Sequence, residues 1–367
     1  MRLLQPPTAR ARWVPSELAR VPDGLEGAAE ALGIAGQALI PADEGEPAVA
    51  DGNRTLILPE RTIELGGQRF ALSVKGAGAV SPMYGDPLDD APEEEARAFL
   101  GERWFGEAPY GGQGATNAEI ALQITSAARG SVWNGFHLCP VIQVVEVPSA
   151  HVRRERFWYR RHQGPVLQEH RLVPSDVRLF HAAEHTLGQD PDRVLGAFGV
   201  TEPGEVDAFL DRTIRTGFAA LTLFLRTARE VPWGLHGLGY GNVWLDKDSV
   251  VAADGSLYFA DLEGLDWRLA GADWTLDEVA REQLEHNLYE VLFGMDVVQR
   301  YQERLTGRAL SAAARRRKMA MRVELALEGD PFLRTERSAG GLDLIAHTPL
   351  RPDEPVVFRL FDDAGEG

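Results

Sequence analysis

The residues of this chain best placed to do chemistry lie between Trp233 and Trp267, in WGLHGLGYGNVWLDKDSVVAADGSLYFADLEGLDW. Asn242 opens an apolar run, Val243-Trp244-Leu245, that reads as a strand. Asp254-Gly255 is a turn signal, Leu257 to Ala260 reads as a second strand, and Asp261 closes it. If the two strands pair, an amide oxygen and a carboxylate meet at one edge of a small hairpin. Hard oxygen ligands of that kind hold Mg²⁺ under the phosphates of a nucleotide. The competing reading is an ordinary hairpin with polar ends. Glu263, two residues after Asp261, is a candidate second metal contact or general base, whereas Asp246, Asp248 and Asp266 read as turn or surface acids. His236 reads as a structural residue holding the backbone of the loop Gly237 to Gly241.

A phosphate site also needs cations and accessible backbone. Lys75 ends the alternating run Phe70 to Lys75 and is followed by Gly76-Ala77-Gly78. A strand-borne lysine beside a glycine turn can reach phosphates, and it can equally be a solvent-facing edge residue. Glu119 is the acid of a helix candidate starting near Thr116. It either pairs with the strand lysine or closes the capping box Thr116-x-x-Glu119. Gly111-Gly112-Gln113-Gly114, just upstream, lets backbone approach a phosphate. Arg171 and Arg178 flank Leu-Val-Pro-Ser-Asp-Val, and two guanidiniums so spaced can converge on one phosphate or pair with surface carboxylates. His181, Glu184 and His185 spell HAAEH, an inverted zinc-protease pattern that two polar positions on a helix face also satisfy. There is no Gly-x-Ser-x-Gly elbow and no HExxH helix.

The elements that must position these residues follow from periodicity. A short helix is predicted from Pro15 to Leu32, then an acidic connector, PADEGEPAVADG. Strands are predicted at Thr55 to Leu58, Thr62 to Leu65 and Phe70 to Lys75, and a surface insertion from Ser81 to Tyr110. A helix from Thr116 stops at Gly130. It is followed by a strand at Val141 to Val145 and a β region at Phe157 to Val173. Beyond Pro174 the pattern is helical: Ser175 to Leu187, Asp192 to Phe198, Glu205 to Glu230, Leu276 to Leu305 and Ala309 to Leu327, with one late strand-like run, Pro355 to Phe358. Leu210, Ile214, Phe218, Leu221 and Leu225 form the apolar stripe of the long central helix. The reading is therefore α+β, with an N-terminal extension at 1–50, a β-rich lobe at 51–173, and a mainly helical lobe at 174–367 that contains the hairpin 233–267.

The 367 residues hold 38 basic and 55 acidic side chains, a formal charge of −17, which argues against a nucleic-acid backbone or an anionic membrane as partner. A single cysteine, Cys139, excludes an internal disulfide and a thiolate metal cluster. The basic N-terminus is followed by no apolar segment of signal-peptide type, so a soluble cytoplasmic protein is the expectation.

Taken in order, these motifs resemble one family. Val74-Lys75-Gly76-Ala77-Gly78, the stretch from Gly114 to Leu122, Gly164-Pro165-Val166-Leu167 with Arg171-Leu172-Val173-Pro174-Ser175-Asp176-Val177-Arg178, His236-Gly237, Asn242 and Asp261 are similar to motifs of selenoprotein O, the protein adenylyltransferases of pseudokinase fold. The resemblance covers roughly 65–267. It implies a two-lobed protein kinase-like fold and transfer of AMP from ATP to a protein hydroxyl with Mg²⁺ or Mn²⁺. It also implies an ion pair of Lys75 and Glu119 on the phosphates, and phosphate contacts from Gly76, Gly78, Gly114, Arg171 and Arg178. Asn242 and Asp261 would be the metal ligands. The chain departs from the family at Gly241, where the family carries an aspartate before the asparagine, and in the longer spacing from Asn242 to Asp261. The departures keep two alternatives open: a phosphotransferase acting on a small molecule or peptide, and a nucleotide-binding scaffold without transfer.

Overall fold

The computed structural model describes residues 3–51, 54–77, 115–133, 135–151, 165–180, 186–230, 245–262, 278–331, 333–338, 340–348 and 351–362. Asn242, Glu263, Gly78, Gly114, His236, Gly241 and the HAAEH segment lie outside them. The chain is mixed α+β and forms two compact units, residues 3–131 with 139–176, and residues 132–138 with 177–367. Among the described residues no helix is long and apolar enough to cross a membrane.

The first unit is built on antiparallel pairing. β1 (Ala9–Pro15), β2 (Ala19–Arg20) and a helical turn α1 (Ala28–Ala31) precede β3 (Gln37–Pro41), β4 (Glu46–Asp51), β5 (Thr55–Leu65) and β6 (Gln68–Lys75). Residues 15–32 thus contain a strand and one helical turn where a helix is predicted: Ala19 and Arg20 pair with a later strand instead. The two predicted strands at 55–65 are one strand with an irregularity between Leu58 and Thr62. Next among the described residues is a helix, α2 (Ala115–Ala128). β7 (Val132–Trp133) and β8 (Phe136–His137) then belong to the second unit, and the chain returns to the first as β9 (Val141–Glu146) and β10 (Leu167–Val173).

The strand order β2-β9-β10-β6-β5-β4-β1-β3 makes one eight-stranded sheet. Residues 9–51 therefore supply four of its strands. All seven residues of β10 and the last six of β6 are buried, so both sheet faces are covered. One face carries Val145, Val147 and Val166 against Val14, Ala38 and Ile40 of the N-terminal strands. Each of the valine and isoleucine side chains removed from water contributes about 1.5–3 kcal/mol. The same face encloses a polar network. The Gln168 amide accepts from Leu39 N–H (2.9 Å) and donates to Leu39 C=O (2.6 Å), copying a backbone pairing with β3. The Gln143 amide donates to Ile34 C=O and to His170 Nδ1, both at 2.9 Å.

The second unit contains α3 (Pro191–Phe198), α4 (Pro203–Glu230), the single turn α5 (Leu245–Asp248), β11 (Ser249–Val251), β12 (Leu257–Phe259), α6 (Glu278–Thr306) and α7 (Ala312–Ala326). Leu210, Ile214, Phe218 and Leu221 of the α4 stripe are buried. Residues 174–180 are not helical, in contrast to the helix predicted from Ser175; Val177 and Leu179 join the backbone of the β11 region through Val251 N–H to Val177 C=O (2.8 Å) and Leu179 N–H to Ser249 C=O (3.0 Å). The tail holds a three-stranded antiparallel sheet, β13 (Leu333–Ser338), β14 (Gly341–Thr348) and β15 (Arg351–Asp362), where a single late strand is predicted.

Candidate functional site

The hairpin predicted around Asp254-Gly255 exists, in a different register. Its strands are β11 and β12, paired Ser249 to Phe259 and Val251 to Leu257. Leu245, predicted to lie in the first strand, instead begins the helical turn α5. The residue brought to the open end of the hairpin beside Asp261 is consequently Asp248, whose carbonyl accepts from Ala260 N–H (2.8 Å). Asp248, read from the sequence as a turn or surface acid, is buried.

Four charged side chains gather there. Lys247 Nζ lies 2.5 Å from Asp248 Oδ1 and 4.0 Å from Asp261 Oδ2. Arg178 donates through Nη1 to the Lys247 carbonyl (3.1 Å), and its charge reaches both Lys247 and Asp248. Burial, then the Asp261 carboxylate, push the Asp248 carboxyl up to about 7, outweighing the pull of Lys247 and Arg178. Burial also acts on the Lys247 ammonium, pulling it down, but Asp248 and Asp261 outweigh that and its pKa stands above the ordinary lysine value. The lysine gains from the pairing while the aspartate bears the desolvation. Arg178 and Asp261, both singled out from the sequence, are thus brought into one cluster.

A few residues along, Asp246 of α5 faces His286 and Glu290 of α6. His286 Nε2 is 3.9 Å from Asp246 Oδ2 and 4.0 Å from Glu290 Oε1. Burial, and after it the Asp246 charge, raise the Glu290 carboxyl above its ordinary value, with His286 opposing. Sequence reading missed both α6 residues, although His286 and Glu290 stand i, i+4 and share a helix face.

In the first unit, Lys75 and Arg171 lie on one face of the sheet, almost wholly buried at 3% exposure each. The register sets Lys75 directly opposite Glu169 and Ser73 directly opposite Arg171, and opposed residues share a face. Arg20, Val144, Glu169 and Lys75 form one cross-strand row over β2, β9, β10 and β6. The ion pair of Lys75 with Glu119 that the resemblance implies is not formed. The Glu119 carboxylate is taken by Arg20 and by Gln123 (3.0 Å). Arg20 stands three strands from Lys75, roughly 14 Å of sheet. The buried acid opposite Lys75 is Glu169, which the sequence reading did not single out. Gly76, expected to offer its backbone to a phosphate, donates its N–H to Arg54 C=O (2.9 Å) and adopts φ +90°, which favours glycine. Asp176, inside the paired-arginine stretch, accepts from Leu4 N–H and Gln5 N–H and anchors the N-terminus.

No protein-family model, no curated protein and no solved structure matches the chain.

Proposed function

We propose that the chain is an ATP- and Mg²⁺-dependent transferase of two-lobed, kinase-like organisation that moves AMP to a protein hydroxyl. The observation that carries this reading is the cluster at the open end of the β11–β12 hairpin, where Asp261, Asp248, Lys247 and Arg178 converge. Asp261, with Asp248 beside it, offers the hard oxygen donors that suit Mg²⁺ or Mn²⁺, so the residues present fit the ion. When bound, the ion supplies charge neutralisation at phosphate oxygens. Asn242 would be a further ligand and Glu263 a further acid. Arg178 presents a guanidinium beside the cluster, suited to phosphate oxygens. Lys247 holds Asp248 in place and acts as a positioning residue. The resemblance also assigns phosphate contacts to Lys75 and Arg171, which share one buried face of the first unit's sheet. Glu169 is the carboxylate positioned to orient Lys75.

A second reading, a nucleotide-binding scaffold without transfer, has its own support. The Lys247 ammonium already stands beside both carboxylates, where a divalent cation would have to compete with it. Incubation with ATP labelled at the α or the γ position, Mg²⁺ or Mn²⁺ and a mixed protein substrate separates the readings. Label from the α position on protein is the expected result. Label from γ alone would make the chain a kinase, and a thermal shift with ATP but no transfer of either label would make it a scaffold. Asp261→Ala should abolish transfer and weaken Mg²⁺-dependent ATP binding by at least about tenfold; unchanged binding and transfer would remove Asp261 from the site.

A further inference from the structure

We propose that Asp246, His286 and Glu290 form a separate cation site, for a divalent first-row transition ion, that fills without any nucleotide. One ligand atom from each of the three residues lies within 4.8 Å of the others. Ligands held about 2.1 Å from a common ion stand roughly 3.0–3.4 Å apart, so side-chain rotation on the order of an ångström seats the ion.

The second, independent observation is what the carboxylates lack. Asp246 Oδ1 and Glu290 Oε2 are buried and have no hydrogen-bond partner. The Glu290 side chain is 12% exposed. Two carboxylates from different elements meet at one imidazole through Asp246 Oδ2 and Glu290 Oε1, and in each the second oxygen is the buried, unsatisfied one. Buried carboxylates are kept ionised by pairing or by metal coordination. The backbone at Asp246 is fixed on both sides. Leu245 N–H donates to the buried Asn287 amide oxygen on α6 (2.9 Å), and the Asp246 carbonyl accepts from Phe180 N–H (3.0 Å). Asp246 is therefore presented to α6 by the fold and does not depend on a free loop. The donor set, one imidazole and two carboxylates, selects Zn²⁺ or Mn²⁺ over Mg²⁺ and Ca²⁺, which prefer oxygen alone. Three protein ligands leave positions open for water or substrate.

The test uses the full chain, stripped with chelator and free of nucleotide, titrated with Zn²⁺, Mn²⁺ and Mg²⁺ against a metal-binding indicator dye. One equivalent of Zn²⁺ or Mn²⁺ should bind, roughly a hundredfold more tightly than Mg²⁺. His286→Ala and Glu290→Gln should each weaken it by at least about tenfold, while Asp261→Ala should leave it unchanged. Circular dichroism checks that the variants fold. If His286→Ala does not, Glu290→Gln, nearly isosteric, carries the comparison together with the visible d–d bands of the Co²⁺-loaded wild type. Absence of stoichiometric binding, or binding that survives in both variants, overturns the proposal. Loss of binding in Asp261→Ala with both variants unaffected overturns it as well, and assigns the ion to the nucleotide cluster.

Discussion

A buried carboxyl whose pKa is raised in the folded state makes stability fall as pH rises. Asp248 is such a group, moved from 3.8 to about 7 by burial and by Asp261. Between those two values the folded chain holds a proton that the unfolded chain has released, so each step up in pH costs stability until the native carboxyl ionises near 7. Asp248→Asn removes this titration. Its stability, followed by urea unfolding from pH 4 to pH 8, should be flatter with pH than that of the wild type, and the gap between the two should shift in favour of the variant as pH rises. Parallel profiles would show that Asp248 ionises normally. Residue identity alone could not have exposed this group. Asp261 and Arg178 stood out in the sequence because of the stretches around them, whereas the setting of Asp248 depends on where Arg178 and Asp261 come to rest. Glu119 failed for a related reason: its partner Arg20 sits in a strand whose stretch reads as helix.

Among the elements, the hairpin is held by α4 through contacts that leave little freedom. Gly255 adopts φ +92°, and a Cβ there would stand 2.4 Å from the Phe209 carbonyl oxygen of α4. Thr213 Oγ1 donates at the same place, 2.8 Å from Gly255 C=O and 2.9 Å from Phe209 C=O, and Thr216 Oγ1 accepts from Leu257 N–H (2.9 Å). Gly255→Ala combines an unfavourable left-handed backbone with a clash against main chain and should destabilise the chain by about 3 kcal/mol or more. Thr216→Val leaves a buried N–H without its acceptor and should cost about 1–3 kcal/mol. Chemical denaturation measures both, and a Gly255→Ala value within about 0.5 kcal/mol of wild type would mean α4 does not press on the turn. The Asp-Gly turn was legible because its signal is local. The first strand was misplaced because Val243-Trp244-Leu245 has strand-like composition, while Leu245 is used as the start of a turn docked on α6. Of the C-terminal sheet only β15 was legible, as the run Pro355 to Phe358; β13, Leu333-Arg334-Thr335-Glu336-Arg337-Ser338, is mostly exposed and shows no sustained apolar alternation.

The whole molecule combines two units whose buried groups prefer opposite protonation. The division into a β-rich first part and a more helical second part was legible from the order of periodicities. The opposition was not, since it arises from burial. In the first unit, burial drives the His170 imidazole down to about 3. Its Nδ1 accepts from Gln143, which fixes a neutral ring with its proton on Nε2, toward Gln168 Oε1 at 3.4 Å. Between pH 3 and 6.5 the unfolded chain takes up a proton at this histidine that the folded chain refuses, so the first unit gains stability as pH rises. Over much of the same range the second unit loses stability through Asp248, for the sign reason given above. From pH 4 to 6.5, therefore, the two units should move apart or exchange order in their melting. Calorimetry at several pH values is expected to show two transitions whose midpoints shift in opposite directions. His170→Asn should flatten the slope of one transition alone and Asp248→Asn that of the other. If each variant alters both transitions equally, the units unfold as one cooperative block and the separate assignment of the two slopes fails.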